Sequence, residues 1–439
     1  MQPASPAPTG QETRPAPPEA LYLHVPFCLS LCPYCDFVVY AGAAARGRRS
    51  RVRAFLVALA VELDLRADAL DAAFGPPAET SQPAPARAVA RPPHGLASSG
   101  RRPALRSLYL GGGTPSLLPA DEVAAIVARV RARFGLTADA EVTLEANPGV
   151  DDRGDLPGFA RAGVTRVSFG AQSLDPADLR ELGRRHAPPD VVEAVAAARD
   201  AGIAVVNLDL LYDLPGQRLA TFAYTLDAVL ELVPEHVSLY ALTLDDPEAE
   251  GLTGPDGDHL PTAPGARRWR QRARGGQDED AAAAAYAYAD ARLAEADMAW
   301  YELSNWALPG DECRHNLAYW RRRPYEAAGP GAHAFDGAAR RWNAARLERW
   351  LGALLPGPGT PPRLPPGGSE AIDPATAEAE TLVLGLRLAE GVPRRAMLAR
   401  PEAFTWAAEA GLVEEAAGDR VRLTLRGRLL SNELFARLL

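Results

Sequence analysis

Short apolar runs alternate with longer amphipathic runs along most of the chain. Helical periodicity predicts five helices, over 51–73, 120–134, 152–162, 176–201 and 217–232. Six short runs rich in apolar and β-branched residues predict strands over 21–25, 105–110, 140–146, 164–169, 203–211 and 236–242. Strands that alternate with helices are typical of parallel βα units, and six units fit a partial (β/α)6 barrel. We therefore predict an α/β fold for residues 20–245.

Residues 375–439 follow a different pattern. A helical stretch at 375–389 precedes a helix near 400–410, a hairpin made of 411–413 and 421–427, and a final helix. This order predicts a small α+β, winged-helix-like C-terminal domain. The acidic character of the chain argues against DNA binding by this domain.

Four segments rich in Pro and Gly lack any periodic apolar pattern. They predict a disordered N-terminal tail over 1–19, a disordered insert over 75–103, a flexible insert over 246–280 and a linker over 352–374. Residues 281–351, between the last two segments, are predicted to cap the barrel.

Composition and charge limit the classes of function. The chain has 439 residues, 47% of them hydrophobic, and a net charge of −9, which fits one large core plus a small domain and disfavours polyanion binding. It contains no lysine, so a Walker-type phosphate loop is excluded. The basic run 267–274 is followed by acidic residues at 278–280, which favours a solvated loop over an RNA-binding segment. We predict no nucleic-acid partner.

Apolar runs and cysteine usage indicate the compartment. No run of 18 or more apolar residues occurs, and the first 20 residues lack the pattern of a signal peptide. Three of the four cysteines are clustered, which argues against a disulfide scaffold and for a reducing environment. These features predict a cytoplasmic protein without a transmembrane segment.

Three cysteines form a compact run directly after the first predicted strand. Cys28, Cys32 and Cys35 follow a C-x3-C-x2-C spacing on one loop. Such a loop can ligate three irons of a [4Fe-4S] cluster and leave the fourth iron open to an exogenous ligand. A tetrahedral zinc site is the alternative, but the sequence has no second half-site of paired cysteines or histidines. The spacing therefore favours a cluster.

Glycines and carboxylates follow several of the predicted strands. A barrel carries its functional groups at the carboxyl ends of its strands, so these residues are expected at one mouth. The glycines at 111–113 would let backbone approach a ligand and leave amide N–H groups free, although a tight turn is an equal alternative. Glu145 could accept two ribose hydroxyls, and Asp209 ends the fifth strand, but either carboxylate could instead be structural.

The cysteine run and its flanks resemble a known superfamily. The run from Tyr22 to Phe37, with the pattern Y-x-H-x-P-F-C-x3-C-x2-C-D-F, is similar to the radical S-adenosylmethionine (SAM) superfamily. Within it, the run resembles the branch of oxygen-independent coproporphyrinogen III oxidases and their HemW-type heme-chaperone relatives. The resemblance implies a partial radical SAM barrel, a [4Fe-4S] cluster on three cysteines and SAM as a cofactor. The residues that it implies for SAM binding are Tyr22, Gly112, Gly113, Thr114, Glu145, Gln172, Arg184, Asp209 and Ala241.

Two more segments bear on this resemblance. Tyr240-Ala241 and the glycine-rich residues 329–333 resemble parts of the branch that close over the adenosyl group, although Gly-Pro-Gly is also an ordinary turn. Asp213 stands where this branch usually has glycine. The loop geometry is therefore in question if that position requires a positive φ.

Two features separate the oxidases from the heme chaperones. The oxidases carry a fourth cysteine two residues after the third, where this chain has Phe37. The segment His315-Asn-Leu-Ala-Tyr319-Trp resembles the His-Asn-x-x-Tyr-Trp signature of the chaperones. The resemblance implies heme contacts from His315, Asn316 and Tyr319, whereas the alternative is a buried hydrogen-bonded cluster that docks this segment. Cys313 is a second candidate heme ligand or a free thiol.

These resemblances imply a heme chaperone that binds heme, a [4Fe-4S] cluster and SAM. Such a protein delivers heme to apoproteins such as membrane-bound respiratory cytochromes. The alternative is an oxygen-independent coproporphyrinogen III oxidase, which decarboxylates propionates through a 5′-deoxyadenosyl radical. Cleavage of SAM would need an electron donor such as flavodoxin or ferredoxin, and the sequence leaves open whether SAM is cleaved or only bound.

Overall fold

A long mixed sheet forms the centre of the molecule. The computed structural model describes residues 14–78, 100–245 and 247–439. Its main sheet has twelve strands, in the order β14-β13-β12-β11-β1-β4-β5-β6-β7-β8-β10-β9. These strands are β1 (Ala20–Val25), β4 (Leu105–Gly112), β5 (Leu136–Ala146), β6 (Arg166–Gln172), β7 (Val205–Tyr212), β8 (His236–Ala241), β9 (Ala299–Glu302), β10 (Asn305–Ala307), β11 (Tyr325–Ala328), β12 (His333–Phe335), β13 (Ala339–Asn343) and β14 (Gly367–Ala371).

The middle of this sheet is parallel. Strands β1 and β4 to β8 pair in parallel in chain order, so all six predicted strands are confirmed. Strand β11 adds a seventh parallel strand on the free edge of β1. Antiparallel strands extend both sides, with β12 to β14 beyond β11 and with β10 and β9 beyond β8. The predicted partial barrel is therefore extended at each edge.

Helices follow most of the parallel strands. All five helical stretches predicted for the barrel are confirmed, but the stretch 176–201 is divided into two helices. The break follows from Gly183, whose φ is +66°, and from the prolines that begin the next helix. The helices up to the last barrel strand are α1 (Val52–Phe74), α2 (Ala120–Phe134), α3 (Leu156–Ala162), α4 (Pro176–Glu181), α5 (Pro188–Asp200) and α6 (Leu219–Leu230).

One hydrophobic core joins the sheet to these helices. Helix α1 packs on the sheet through one apolar face. Its residues Phe55, Leu59 and Leu63 recur every four positions, and all three are fully buried. They pack against strand residues such as Leu23 and Leu110. Each buried side chain of this kind contributes roughly 1.5–3 kcal/mol to folding. The core holds the parallel strands rigidly and so fixes the positions of the residues at their carboxyl ends.

The C-terminal domain has its own small core around Leu386, Met397 and Leu434. It docks on the barrel through a hydrogen bond from Ala389 N to Tyr301 O (2.9 Å) and through an ion pair between Arg428 and Asp290. A three-stranded sheet and five helices agree with the predicted α+β domain. They are β15 (Val392–Pro393), β16 (Val413–Ala416), β17 (Arg420–Leu423), α11 (Pro374–Arg387), α12 (Arg394–Leu398), α13 (Pro401–Glu409), α14 (Leu425–Leu429) and α15 (Ser431–Leu438).

The segments predicted to be irregular contain more structure than expected. Residues 264–274 form a helix inside the predicted flexible insert, and β14 lies inside the predicted linker. Both lack the periodic apolar positions on which the prediction relied. Residues 1–13 and most of the insert 75–103 lie outside the described residues. The helices between the barrel and the C-terminal domain are α7 (Pro264–Arg274), α8 (Glu279–Glu295), α9 (Arg314–Trp320) and α10 (Leu347–Leu354).

None of the helices in the described ranges is long and apolar enough to cross a bilayer.

Candidate functional site

The carboxyl ends of the parallel strands converge at one mouth of the barrel. Glu145 pairs in register with Ser168 of β6, and Asp209 pairs with Ser238 of β8. Neighbouring parallel strands end at the same edge of the sheet, so the side chains at the carboxyl ends of β5 to β8 lie at one site. The structure thus places the predicted strand-end residues together.

The three clustered cysteines lie on a loop that two very short strands close. We call residues 28–39 the cluster loop; it runs between β2 (Phe27–Cys28) and β3 (Tyr40–Ala41), which pair in parallel. A turn bond from Cys35 N to Cys32 O (3.2 Å) bends the loop, and Cys28 Sγ lies 3.1 Å from Thr114 Oγ1. All three thiols are partly buried. The loop therefore presents three sulfur donors beside the glycine tract.

The chemistry of these donors fits an iron–sulfur cluster. Burial raises the pKa of the Cys28 thiol to about 11 and raises that of Cys35 still further. Bound iron would displace these protons, since metals bind thiolates. In the described ranges, no group of three or more His, Cys, Asp or Glu side chains is arranged around a common metal position. Each cysteine of a cubane cluster binds a different iron.

Cys313 is separate from the cluster loop. It directly precedes α9 as the N-cap residue, is buried against Tyr301 and Ala307, and its Sγ lies 3.3 Å from Glu141 Oε1. Burial, followed by the Glu141 charge, raises the pKa of the Cys313 thiol above its usual range. The contacts of this thiol are those of a structural core residue.

Arg184 ties the cluster loop to the strand ends. The break between α4 and α5 delivers its guanidinium into the mouth. The guanidinium donates to the Gly170 carbonyl (2.7 Å), to Asn147 Oδ1, and over 3.6 Å to Cys32 Sγ. Arg184 therefore joins the cluster loop to the ends of β5 and β6.

Arg270 holds the cluster loop from the other side. It is 5% exposed on α7, and its guanidinium donates to the backbone carbonyls of Pro33 (3.2 Å), Tyr34 (3.2 Å) and Cys35 (2.8 Å). The neighbouring Trp269 is also buried and donates to Glu181 Oε1 (2.8 Å). The prediction of a solvated loop for this basic run is therefore wrong. The one signal in the sequence was Trp269 within the run, because a tryptophan is rarely left in solvent.

The glycine tract packs too closely against β1 for any side chain. A Cβ on Gly112, whose φ is +109°, would lie 2.5 Å from the His24 ring, and a Cβ on Gly113 would lie 2.7 Å from the Phe27 carbonyl oxygen. The amides are occupied, because Gly112 N donates to Glu145 Oε2 (2.8 Å) and Gly113 N to the Val25 carbonyl (2.9 Å). The expectation that these amides remain free for a ligand is wrong. Close packing of the backbone accounts for these glycines.

Two carboxylates line the centre of the mouth. Glu145 Oε1 accepts from Tyr109 Oη (2.9 Å), while burial and then the Asp209 charge raise the pKa of Glu145 to about 7. Asp209 accepts from Ser168 Oγ (3.0 Å) and Asn207 Nδ2 (2.7 Å). Burial raises the pKa of Asp209, although these hydrogen bonds oppose that shift. Both carboxylates retain lone pairs that can accept ligand hydroxyls.

Three other residues implied for SAM binding lie at or near the ends of the parallel strands β1, β6 and β8. Gln172 has a φ of +66°, which is uncommon for a residue with a side chain and is often found at functional sites. Ala241 ends β8 in register with Tyr212. The Tyr22 hydroxyl lies 3.0 Å from His24 Nδ1.

The chaperone-like segment forms α9, and its histidine is buried. His315 is 1% exposed. Its Nδ1 lies 3.0 Å from Ser107 Oγ, and its Nε2 lies 2.7 Å from Tyr319 Oη. Burial lowers the pKa of His315 to about 3, so the ring is neutral. Asn316 is only partly buried. Both ring nitrogens have partners, which favours the buried hydrogen-bonded cluster over iron ligation at this histidine.

A cavity of about 500 Å³ opens beside the mouth. This volume lies within the usual range for cofactor sites. The cavity extends from Tyr22 and His24 at the mouth towards helix α11 of the C-terminal domain. We call it the side cavity; its walls include Phe37, Val38, His259, Trp320, His333 and Leu384.

The chain resembles known radical SAM proteins in sequence. Residues 22–229 match the model of the Radical SAM superfamily. The chain is 36% identical to the heme chaperone HemW of Mycobacterium tuberculosis (strain ATCC 25618 / H37Rv), over 98% of this chain and 97% of that protein. It is 34% identical to the heme chaperone HemW of Escherichia coli K12, over 72% of this chain and 70% of that protein.

The fold also has a solved counterpart. The structure of coproporphyrinogen III oxidase (HemN) from Escherichia coli, described as a radical SAM enzyme, matches with a TM-score of 0.72 over 97% of this chain and 91% of that one. The sequences are 19% identical, so this likeness establishes the fold alone. It confirms the predicted α/β radical SAM fold.

Proposed function

The chain belongs to the HemW family of heme chaperones within the radical SAM superfamily, and we propose that it binds heme and delivers it to apoproteins. The observation that carries this proposal is the similarity to a heme chaperone over nearly the whole chain. Membership of the superfamily implies a [4Fe-4S] cluster and SAM. Heme is the cargo in this proposal, whereas the cluster and SAM are resident cofactors.

We assign the cluster to Cys28, Cys32 and Cys35. A bound cluster would supply the electron that reductive cleavage of SAM requires. The protein's contribution is to fix the loop, through Arg184 at the strand ends and Arg270 at the loop carbonyls. The three-cysteine loop leaves one iron for SAM. We expect a reducing compartment, the cytoplasm, because a loop of partly buried thiols is stable there.

SAM is assigned to the mouth of the barrel. Glu145 and Asp209 are the acceptors for its hydroxyl groups. The two carboxylates converge at the strand ends and retain acceptor capacity. Gln172 and Arg184 both approach Gly170 at the end of β6, so the strained Gln172 backbone fits a positioning role.

The cluster loop supports a chaperone over an oxidase. Phe37 occupies the position of the fourth cysteine of the oxidases, is 62% exposed and forms part of the wall of the side cavity. An exposed aromatic side chain on a cavity wall is suited to contact a flat apolar ligand. The other cysteine, Cys313, is buried beside Glu141 and has no contact with the loop among those described. The partners that we propose are heme-accepting apoproteins, including membrane-bound respiratory enzymes.

Heme titration and transfer test this proposal. We expect the anaerobically reconstituted protein to develop a Soret band that saturates at a defined ratio of heme to chain. Mixing the loaded protein with a heme-free cytochrome should then move the band to that of the acceptor. Unstructured absorbance that rises without saturation, or heme that is not transferred, would contradict the proposal. Bovine serum albumin loaded with heme is the control for passive release.

A further inference from the structure

A carboxylate flanked by two histidines lies on the wall of the side cavity. Asp258 Oδ1 is 3.0 Å from His259 Nδ1, and Asp258 Oδ2 is 2.9 Å from His333 Nε2. All three residues line the cavity. Burial alone would raise the pKa of Asp258, but the hydrogen bonds from both histidines hold it well below its usual range. The carboxylate is thus ionised and accepts from both rings.

The two histidines expose different ring nitrogens. Because Asp258 accepts a hydrogen bond from Nδ1 of His259, only Nε2, the nitrogen farthest from the backbone, is open to a ligand; this hydrogen bond also raises the pKa of His259, so a metal ion would displace a proton from Nε2. In His333 it is Nε2 that contacts Asp258. Only Nδ1 of that ring is then open to a ligand, and Nδ1 lies close to the Cβ of the same residue. The His333 ring also stacks on Trp342, with centroids 5.9 Å apart. His259 is therefore better placed to bind a metal ion in the cavity.

The segment that carries His259 is anchored. The Gly257 carbonyl accepts from Ala345 N (2.8 Å), and His259 N donates to the Leu252 carbonyl (3.2 Å). A Cβ on Gly331 would lie 3.1 Å from the Asp258 carbonyl oxygen, so the Gly-Pro-Gly turn packs directly on this segment. The sequence analysis treated 246–280 as a flexible insert, yet these contacts fix the backbone of the Asp258-His259 pair.

The other histidines of the described chain are less suitable. His315 and His24 each have partners at both ring nitrogens. His236 likewise contacts Asn207 and Tyr301 and is 1% exposed. The His259 side chain, in contrast, is 29% exposed. Among the described histidines that line the cavity, it alone presents an unpartnered Nε2.

The cavity also suits the remainder of a heme. Phe37 and Trp320 provide apolar and aromatic surface for the porphyrin ring. Two guanidinium groups, of Arg322 and Arg340, both pair with Glu380 on α11. Arg340 also pairs with Glu370, so both guanidinium groups are already held at the cavity wall, and guanidinium groups are suited to bind carboxylates such as heme propionates.

We propose that His259 Nε2 is the axial ligand of the heme iron and that Asp258 orients it. This inference rests on the proposed function, since it names the cargo site of the same protein. Hydrogen bonding of the second ring nitrogen to a carboxylate is the usual way in which proteins fix a metal-bound histidine and raise its basicity. Asp258 is therefore a positioning residue, and His333 supports it from the other side.

The test compares matched variants of the full-length reconstituted protein. His259→Ala should lose the imidazole-ligated heme spectrum, and added free imidazole should restore it. His333→Ala removes the same side chain from the same carboxylate, yet it should keep the imidazole-ligated spectrum. Asp258→Asn should weaken heme affinity by about 10- to 100-fold. Iron and sulfide content, measured on every variant, reports the fold and the cluster independently of heme.

The outcomes separate the inference from the proposed function. A wild-type protein that binds no heme would overturn the proposed function and the inference together. A wild-type protein that binds heme, with an unchanged spectrum in His259→Ala, would overturn the inference alone. The same conclusion would follow if His333→Ala or His315→Ala, rather than His259→Ala, lost the imidazole ligand while retaining cluster iron.

Discussion

The barrel mouth and the side cavity differ in how firmly their polar groups are held. At the mouth, Arg184 has four acceptors, and Asp209 accepts from two neighbours, Ser168 and Asn207. In the cavity, His259 has a single partner and keeps one ring nitrogen open. Groups held by several hydrogen bonds form a rigid site, which suits a resident cofactor. Polar groups without a hydrogen-bond partner, in a cavity that is partly open to solvent, suit a ligand that binds and is then released.

The two regions share structural parts. The cluster loop supplies cysteines to the mouth and Phe37 and Val38 to the cavity wall. A Cβ on Gly331 would lie 2.5 Å from Val38 Cγ2, and a Cβ on Gly329 would lie 2.4 Å from the His24 carbonyl oxygen. The Gly-Pro-Gly turn therefore packs against both the cluster loop and β1. Variants that affect one site and spare the other sharpen the comparison.

The largest effect is expected at the cysteines. Cys28→Ala, Cys32→Ala and Cys35→Ala should each abolish the visible absorbance of the cluster, because each thiolate is expected to hold one iron. Cys313→Ala is the matched control, since its thiol is buried beside Glu141, and it should retain iron and sulfide. Equal iron loss in Cys313→Ala would show that the fourth cysteine is a ligand.

The second-largest effect is expected at Arg270, which contacts the cluster loop although it lies far from that loop in the sequence. Arg270→Ala leaves several loop carbonyls without their charged donor, and each carbonyl left without a partner costs roughly 1–3 kcal/mol of stability. We expect a chelator to extract iron at least about tenfold faster. Arg272→Ala is the control, because this residue lies on the same helix and is exposed. Equal extraction rates from the two variants would show that α7 does not stabilise the cluster loop.

A moderate effect is expected at the two carboxylates. Asp209→Ala and Glu145→Ala should each weaken SAM binding by roughly 1–3 kcal/mol, the contribution of a charge-assisted hydrogen bond in a buried site. Isothermal titration of SAM measures this, and heme titration of the same variants should be unchanged. If SAM affinity is unchanged in both folded variants, these carboxylates are structural.

Glu145 should also make SAM binding depend on pH. Burial and the Asp209 charge raise its pKa to about 7, so the ionised acceptor is lost as the pH falls through neutrality. The SAM dissociation constant should therefore rise by up to about tenfold from about pH 8 to pH 6. Glu145→Gln should flatten this profile. A wild-type affinity that is constant over this range would contradict the assignment.

The smallest effect is expected at Asp213, which has a φ of +58°. Asp213→Gly relieves the backbone strain but loses the bonds from Gln277 Nε2 (3.0 Å) and Asp278 N (3.3 Å) to the carboxylate. The relief of strain and the loss of hydrogen bonds oppose each other, so the free energy of unfolding should change by less than about 1 kcal/mol. Asp213→Ala keeps the strain and loses the bonds, so it should be the less stable variant. Equal stability of the two variants would show that the positive φ carries no cost here.

Sequence patterns predicted the mouth because its parts follow the barrel strands directly. Cys28 follows β1 by three residues, Glu145 is the penultimate residue of β5 and Asp209 lies near the end of β7. Each position could be inferred from one short run and the geometry of parallel strands. The six strands were predictable for the same reason, since their apolar runs are local.

The cavity and the loop contacts could not be predicted because they join distant segments. Arg270 reaches Pro33 across 237 residues of chain, and His259 lies in a segment without periodic apolar positions. Strand β11 pairs with β1 although more than 300 residues separate them. For His315 the motif was recognised, but only the structure shows that Ser107 and Tyr319 occupy both its ring nitrogens.

The most direct test of the central claim, that this protein carries heme and does not make its precursor, uses one anaerobic preparation. The reconstituted protein is incubated with SAM, a reductant and either heme or coproporphyrinogen III. The account predicts a saturable Soret band with heme, and coproporphyrinogen III recovered unchanged, because Phe37 stands where the oxidases have their fourth cysteine. Steady conversion of coproporphyrinogen III to protoporphyrinogen IX would contradict the account.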